Sequence, residues 1–475
     1  MRPRLESRAV PRPKTRLRAL PAVETLLRHE AIGAVLAELP RPVVVGAVRA
    51  EIAAARARMK RGAAAPNAGE LAAGAAQRAR ADARPQLRRV LNATGVVLHT
   101  NLGRAPLAEP ARRALAEIAA GYCSLEYDLE DGSRGERGTG VARWLERLTG
   151  AEAALVVNNG AAAVLLVLSA VASGRRVVVS RGELVEIGGS FRIPEILEKS
   201  GATLVEVGTT NRTHLKDYER ALARHDDVGA ILRVHPSNFR QQGFTARPGP
   251  RELAALARRH RVPFLEDLGS GALVDLAAFG LEHEPTVSES LAAGADLVTC
   301  SGDKLLGGSQ AGLVLGRRTW VEKARRDPLA RALRLDKLQL AALEATLPLY
   351  ADPARAVAEI PTLAMLTRGP AEQEPRARRL AEALSARLPG LQVRVVRGDG
   401  EVGGGALPTV KLPGWVVELA HPAGDARTLE SRARAADPPV IATLRSHRLR
   451  LDPRTLSDGE IDETAAVLER AFAGL

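Results

Sequence analysis

The sequence predicts an α/β protein with a mostly parallel central sheet, a small basic helical module before it and a small α+β domain after it. Two observations predict this organisation. Short apolar runs alternate with helical stretches from about residue 150 to 316, and the formal net charge of +13 is concentrated near the N-terminus. With 475 residues, 45% hydrophobic and 26% charged, the chain has the composition of a globular protein of several domains, which excludes a wholly disordered chain.

Residues 1–88 are predicted to form the basic helical module. Residues 1–90 contain 19 Lys+Arg and 7 Asp+Glu, whereas residues 91–475 contain 49 and 48. An apolar stripe from Leu26 to Leu39 and a second helical stretch at Val43–Met59 precede an Ala/Gly-rich segment, 62–76. A basic segment on a neutral body favours a polyanionic partner, either nucleic acid or an anionic membrane. A solvated arginine-rich tail is the alternative on charge alone.

Residues 89–345 are predicted to form the α/β domain. Several of its short runs are apolar at every position, as expected of strands buried on both faces of a sheet. The predicted strands are Ala154–Val157, Arg176–Ser180, Thr203–Val207, Ala230–Val234, Pro263–Glu266, Leu297–Thr299 and Gly312–Leu315. Helical stretches such as Pro194–Ser200, Leu215–His225 and Pro250–His260 separate most of them, so the sheet is predicted to be mostly parallel.

Residues 346–475 are predicted to form the α+β domain. A helical pattern over Arg331–Tyr350 leads into a helix at Gln373–Leu388, and another helix covers Asp458–Phe472. The strands between them are predicted near Leu391–Val396, Leu407–Lys411, Trp415–Leu419, Val440–Leu444 and Arg448–Leu451.

Neither a membrane segment nor a metal site is expected. The long uncharged run from Ala153 to Gly174 is interrupted at Asn158-Asn159-Gly160, which predicts a strand, a turn and a helix rather than a membrane span. The N-terminus lacks the continuous apolar region of a secretion signal. The two cysteines, Cys123 and Cys300, allow neither a disulfide framework nor a C-x-x-C zinc motif, so we expect a cytoplasmic protein.

A lysine and an aspartate follow two of the predicted buried strands. Lys304 lies in the Gly-flanked turn Ser301–Gly308, and Asp267 ends an earlier strand. Ligands of open parallel sheets bind beyond the carboxyl ends of the strands. A pyridoxal phosphate enzyme needs this pair, because the lysine forms a Schiff base and the carboxylate pairs with the protonated ring nitrogen. A solvated loop lysine is the alternative for Lys304 taken alone.

A third element could hold the phosphate of that cofactor. Asn159, Gly160 and Ala161 open a helix after a strand, where free backbone amides favour an anion. Ser301, three residues before Lys304, offers a hydroxyl to the same group. The order strand–Gly turn–helix, strand–Asp, strand–Ser-x-x-Lys predicts the fold-type I, aspartate aminotransferase-like large domain of pyridoxal 5'-phosphate enzymes.

Several long runs resemble one family, the bacterial selenocysteine synthases (L-seryl-tRNA(Sec) selenium transferases). The resemblance starts near Arg18 and reaches the C-terminus. The runs are Leu91–Arg104, Leu125–Leu129, Gly132–Arg137, Ser180–Pro194, Glu206–Thr213, Ser301–Gly312 and Arg331–Lys337.

The resemblance implies both a reaction and roles for particular residues. Seryl-tRNA(Sec) would become selenocysteyl-tRNA(Sec) through an aminoacrylyl-tRNA intermediate, with selenophosphate as the selenium donor. Lys304 would bind pyridoxal phosphate, Asp267 would pair with its ring nitrogen, and Asp303 would be a catalytic neighbour. Arg104, Arg331 and Arg334 would form the anion pocket for selenophosphate, which suits guanidinium groups. The alternative for the last two is one solvated helix face.

The resemblance also implies partners and an assembly. The basic N-terminal module would recognise the body of the tRNA, and the protein would form a ring of dimers, a homodecamer. Three positions depart from the family pattern: Gly160 replaces a third Asn, Pro236 replaces Thr, and Ser309 replaces Pro. His235, beside Pro236, either contacts the cofactor or is an ordinary strand-end histidine.

Three other functions were weighed. A pyridoxal phosphate-dependent ammonia-lyase of a phosphorylated amino sugar acid would use the same scaffold, but the basic N-terminal module and Arg331/Arg334 favour the tRNA enzyme. An RNA-binding protein without a cofactor would leave Lys304 and Asp267 unexplained. An aminotransferase fits less well, since the resemblance is specific to another branch.

Overall fold

The computed structural model describes residues 20–187, 191–422 and 425–475. The chain divides into two compact units, Met1–Arg89 and Val90–Leu475. Because the α/β and C-terminal regions share the second unit, the sequence-based boundary between residues 345 and 346 stays a prediction.

The described part of the N-terminal unit is helical. Its core is formed by aliphatic side chains such as Leu26, Ile32, Val48 and Leu71. The sequence left 62–76 as an Ala/Gly-rich segment, but a helix starts within it because Asn67 and Glu70 form a reciprocal capping box. The helices are Val23–Leu27, Glu30–Glu38, Arg41–Lys60 and Ala68–Ala83.

The second unit is built on a seven-stranded sheet in which only one strand runs antiparallel. The order is β3-β11-β10-β9-β8-β4-β7, and β11 is antiparallel to both of its neighbours. The strands are β3 (Ala153–Val157), β4 (Arg176–Ser180), β7 (Thr203–Val207), β8 (Val228–Val234), β9 (Phe264–Gly269), β10 (Leu297–Ser301) and β11 (Gly312–Gly316). All seven predicted strands are present, and the mostly parallel sheet is confirmed.

Helices cover both faces of this sheet. Alternate residues of β4 point to opposite faces, so Val177 and Val179 join one hydrophobic cluster while Val178 joins another. The helices of this region are Glu109–Ala119, Thr139–Thr149, Gly160–Ala172, Ile193–Lys199, Leu215–Arg224, Pro250–His260, Val287–Ala293, Arg318–Arg326, Pro328–Ala332, Lys337–Thr346, Pro353–Glu359 and Pro361–Thr367.

A second sheet of five strands lies in the C-terminal region and includes an early segment of the chain. Its order is β15-β16-β13-β12-β2, where β2 (Val96–Leu98) pairs in parallel with β12. The other strands are β12 (Gln392–Gly403), β13 (Lys411–Ala420), β15 (Thr443–Arg445) and β16 (Arg448–Leu451), and the helices are Pro370–Arg387, Ala426–Ala435 and Asp458–Phe472. Residues 96–98 therefore belong by hydrogen bonding to the C-terminal sheet.

Two further small pairings complete the strands. β1 (Leu91–Asn92) pairs in parallel with β14 (Val440–Ile441), and β5 (Glu186–Ile187) pairs with β6 (Phe191–Arg192).

Three predicted elements are wrong in detail. The strand predicted at Val440–Leu444 is interrupted at Ala442 and forms β14 and β15, which belong to different sheets. The strand predicted at Leu407–Lys411 starts only at Lys411, because Leu407 and Thr409 adopt positive φ angles of 45° and 72°, outside the β region of residues with a side chain. The helical pattern over Arg331–Tyr350 is broken at residues 333–336, between the helices Pro328–Ala332 and Lys337–Thr346. Within the described ranges, no helix is long and apolar enough to cross a membrane.

Candidate active site

Lys304 is buried at the carboxyl end of the central sheet. It lies three residues after β10, and only 7% of its surface is exposed. The turn is held by the Leu305 amide, which donates to the Ser270 carbonyl (3.0 Å), and by the Gly308 amide, which donates to the Gly302 carbonyl (2.8 Å). Burial lowers the pKa of the Lys304 amine, which favours the neutral, nucleophilic form.

Asp267 lies on β9, next to β10, and is paired in register with Thr299. The Thr299 hydroxyl donates a hydrogen bond to Asp267 Oδ1 (2.8 Å). Burial raises the pKa of Asp267, opposed by that hydrogen bond and by the charges of Lys304 and His235. A cationic ligand atom against this carboxylate would therefore compensate a desolvated charge.

Two buried serines lie in the segments that follow β8 and β9, near the lysine turn. Ser237 and Ser270 are fully buried, and within the described residues neither Oγ has a hydrogen-bond partner. A Cβ atom at Gly269 would lie 3.5 Å from Ser237 Oγ and 3.7 Å from Lys304 Nζ, so the three positions adjoin. Since buried polar groups are normally satisfied, these orphaned atoms fit the surroundings of a polar ligand.

The four residues predicted to hold a phosphate come together. Asn159 caps the helix Gly160–Ala172, its Oδ1 accepting from the Ala162 amide (2.8 Å). A Cβ atom at Gly160 would lie only 2.6 Å from Ser301 Oγ, so the helix N-terminus and the hydroxyl adjoin. Gly160 accommodates this approach, and an Asn there would require the Ser301 side chain to rotate.

A glycine segment of the C-terminal sheet lies against the lysine and was missed by the sequence reasoning. Gly405 has a φ of +94°, and a Cβ there would lie 2.6 Å from Cε and 2.7 Å from Nζ of Lys304. The run Gly403-Gly404-Gly405 was the available signal. This run alone did not predict a contact with Lys304, because the contact forms only where the end of β12 reaches the carboxyl end of the central sheet.

Arg104 contacts the residue preceding the lysine. Its Nη1 donates to Asp303 Oδ2 (2.7 Å), and both residues line a cavity of about 350 Å³. Arg104 has a left-handed φ of 58°, which aims its side chain from a tight turn after Gly103. Arg104 therefore lies beside the lysine turn, and the anion pocket that it would form with Arg331 and Arg334 stays a prediction.

Arg331 and Arg334 line a different cavity, of about 340 Å³. Arg334 is not on the helix of Arg331, because that helix ends at Ala332 and Arg334 forms an isolated bridge with Val157. One solvated helix face is thus excluded for the pair. Arg134, Arg137 and Arg325 line the same cavity and were not singled out from the sequence. Within one chain, the three predicted arginines line two cavities.

The remaining departures leave the local backbone bonds in place. His235, before Pro236, donates its amide to the Asp267 carbonyl (2.8 Å), and its Nε2 lies 3.2 Å from Glu284 Oε1, with both side chains largely buried. The Ser309 hydroxyl donates to the Gln339 carbonyl (2.8 Å).

Two family models match the chain. The model described as L-seryl-tRNA selenium transferase covers residues 90–457, and the model described as selenocysteine synthase N terminal covers residues 17–56. The chain belongs to the L-seryl-tRNA selenium transferase family. The first model spans the whole lysine site, and the second falls in the basic helical unit.

Named relatives are similar over almost their full length. An L-seryl-tRNA(Sec) selenium transferase of Moorella thermoacetica is 51% identical over 462 residues, covering 96% of this chain and 97% of the relative. One of Nitratidesulfovibrio vulgaris is 54% identical over 390 residues, 82% of this chain and 83% of the relative. Among solved structures, D-glucosaminate-6-phosphate ammonia-lyase has a TM-score of 0.55 at 22% identity, covering 81% of this chain and 96% of that one. That likeness concerns the fold, which is of fold-type I.

Proposed function

We propose that this protein converts L-seryl-tRNA(Sec) to L-selenocysteyl-tRNA(Sec), with selenophosphate as donor and pyridoxal 5'-phosphate as cofactor. Family membership over nearly the whole chain supports the reaction. The observation that carries the chemistry is the burial of Lys304 beside Asp267, amid serine hydroxyls that lack partners among the described residues.

The residues of the site fit the cofactor. Lys304 would hold it covalently, and Asp267 would face its ring nitrogen. Asn159, Gly160, Ala161 and Ser301 would hold its phosphate at a helix N-terminus, where amides and the helix dipole favour an anion. When bound, the cofactor supplies an electron sink for charge that develops at the substrate α-carbon.

The protein's own groups perform the proton transfers and bind the charges. Lys304 Nζ, whose pKa burial lowers, is the base that takes the seryl α-proton and the acid that assists departure of the β-hydroxyl. Asp267 would stabilise the positive charge on the ring nitrogen of the cofactor. Asp303, paired with Arg104, orients that guanidinium towards the lysine turn. Arg331 and Arg334 bind the oxyanion of the selenium donor, because guanidinium forks match such groups.

Two kinds of partner are proposed: the tRNA, from the charge of the N-terminal unit, and further copies of the chain, from the positions of Arg104, Arg331 and Arg334. The N-terminal unit carries most of the excess positive charge and would bind the tRNA body through its phosphates. Arg104 lines one cavity and Arg331 and Arg334 another, so we propose that a second copy of the chain brings the three arginines to one donor site. A ring of dimers, a homodecamer in the cytoplasm, is the assembly that we propose.

One reaction tests this function. Purified holoenzyme is mixed with labelled selenophosphate and either seryl-tRNA(Sec) or seryl-tRNA(Ser), and selenium on the aminoacyl-tRNA is measured. We expect label on the first tRNA alone. Lys304→Ala should abolish transfer yet keep tRNA binding, and full transfer by that variant would refute the role of the lysine.

The ammonia-lyase of a phosphorylated amino sugar acid remains the second candidate, since a lyase of that kind shares the fold. It predicts ammonia release from such an acid and no selenium on either tRNA. If the protein shows a lysine-bound chromophore, releases ammonia from such an acid and puts no selenium on either tRNA, the lyase becomes the proposed function.

A further inference from the structure

The cavity lined by Arg331 and Arg334 is also lined by five other charged side chains. Its volume is about 340 Å³, and it is lined by five arginines and two glutamates. These are Arg134, Arg137, Arg325, Arg331, Arg334, Glu126 and Glu136. Five guanidinium groups around one small cavity form a strong anion site.

Glu126 already engages three of these guanidinium groups. Its Oε1 accepts from Arg137 Nε (2.9 Å) and from Arg334 Nη1 (3.1 Å). Its Oε2 accepts from Arg134 Nη2 (3.1 Å). A carboxylate and a tetrahedral oxyanion use the same guanidinium N–H groups, so Glu126 occupies the donors that an incoming anion would need.

The Glu126 carboxylate is partly buried and stays ionised. About a quarter of the Glu126 and Arg137 side chains is exposed, against 77% of Arg134. Partial burial would raise the pKa of Glu126, but hydrogen bonds from Arg137 and Arg134 outweigh it, and the pKa is lowered. Glu126 is therefore ionised at neutral pH.

Glu126, Arg134 and Arg137 share one segment without helix or strand, but Arg137 and Arg334 also contact residues other than Glu126. Arg137 Nη1 also donates to the Leu335 carbonyl (3.0 Å), and the backbone of Arg334 bridges to Val157 of β3. Glu126 lies between the helices Glu109–Ala119 and Thr139–Thr149, in a segment without helix or strand. Rotation of one side chain would release the arginines without disturbing the sheet.

We infer that Glu126 is the resident anion of this cavity and that an oxyanion of the phosphate or selenophosphate class binds by displacing its carboxylate from Arg137 and Arg334. This inference rests on the donor role proposed for Arg331 and Arg334. The internal ion pair keeps the guanidinium groups in position when the donor is absent, and it lowers the affinity for other anions. Glu126 is thus a specificity-determining residue.

Binding of inorganic phosphate to the holoenzyme tests the inference directly, by calorimetry and without tRNA. Glu126→Gln removes the competing charge and should bind phosphate roughly tenfold more tightly than the wild type. Glu136→Gln is the matched control. Glu136 lines the same cavity, but its side chain is 70% exposed and its ion pair with Arg325 is long, at 3.5 Å. It should change the affinity by less than about twofold.

Further variants locate the effect and guard against misfolding. Adding Arg334→Ala to Glu126→Gln should remove the gain, and Glu126→Asp, which keeps the competing carboxylate, should bind phosphate about as the wild type does. Unchanged melting temperature and lysine-bound absorbance show that each variant is folded. Equal or weaker phosphate binding by folded Glu126→Gln overturns the inference, even if selenium transfer persists. Tighter binding with no selenium transfer by the wild type would leave this anion site standing and refute the proposed function instead.

Discussion

Gly405 lies so close to Lys304 that a methyl group at position 405 would stand 2.6 Å from the lysine Cε. The glycine follows β12 of the C-terminal sheet, and the lysine follows β10 of the central sheet. The second sheet therefore forms one wall of the lysine site, and the space for a cofactor depends on that wall having no side chain.

Gly405→Ala should displace the lysine and reduce cofactor loading at least tenfold. The added Cβ meets the flexible end of Lys304, so the lysine rather than the backbone must move. A residue with a side chain at φ +94° is also strained by about 1–2 kcal/mol. Absorbance of the lysine-bound cofactor measures the loading. Gly280→Ala is the control for strain alone, since Gly280 has a φ of +84° and nothing within 4 Å of its Cβ position. Equal loading of both variants would contradict the close approach.

Thr299→Val should weaken cofactor binding roughly tenfold, because it removes the hydrogen bond to Asp267 Oδ1. Without that donor the pKa of Asp267, already raised by burial, rises further, and less of the carboxylate is ionised to meet a ring cation. The dissociation constant is measured by absorbance titration of the cofactor-free protein. Thr299→Ser keeps the hydroxyl and should bind nearly as the wild type does. Loss in both variants would assign the effect to packing instead.

Stability should fall as the pH rises through the range in which Glu183 ionises. Burial raises the pKa of Glu183 to about 7, from an ordinary value of 4.5. The folded state then holds a proton that the unfolded state has released, so stability is full below about pH 4.5 and is lost as the pH passes 7. The loss is about 3 kcal/mol at most.

Urea midpoints of the holoprotein at pH 5 and pH 8 measure this loss. The Val234 amide donates a hydrogen bond to Glu183 Oε2 (3.1 Å), and the side-chain oxygen of Gln can accept the same bond. Glu183→Gln should therefore flatten the pH dependence of stability. Glu186→Gln, at a half-exposed carboxylate nearby, should keep the wild-type slope. A wild-type slope in Glu183→Gln would show that another group titrates.

Deletion of residues 1–85 should weaken tRNA binding at least tenfold and leave the cofactor in place. The cut falls just beyond the helix Ala68–Ala83, inside a unit with its own hydrophobic core. Phosphate contacts release counterions, so the salt dependence of binding should also become shallower. Filter binding at matched ionic strength, together with cofactor absorbance, tests both halves of the prediction. Unchanged affinity would remove the tRNA role from this unit.

Elements whose signal is local were predictable from the sequence. The seven central strands and helices such as Pro250–His260 follow from apolar runs and from helix starts such as Pro250. The strand predicted at Leu407–Lys411 was wrong because Leu407 and Thr409 have left-handed φ angles, which the local apolar pattern does not indicate. The helix beginning at Ala68 was missed because its Ala/Gly composition concealed the capping signal of Asn67.

By itself the sequence predicted the fold class, the cofactor chemistry expected of Lys304 and Asp267, and the uneven distribution of charge, because each is indicated by short runs of the chain taken one at a time. Only the tertiary structure decided which distant groups share a site. Examples are Gly405 against Lys304, Glu126 among three arginines, and Arg104 in a cavity separate from Arg334. Such contacts join positions far apart in sequence, and they form only when the sheets and loops pack, so no local pattern records them.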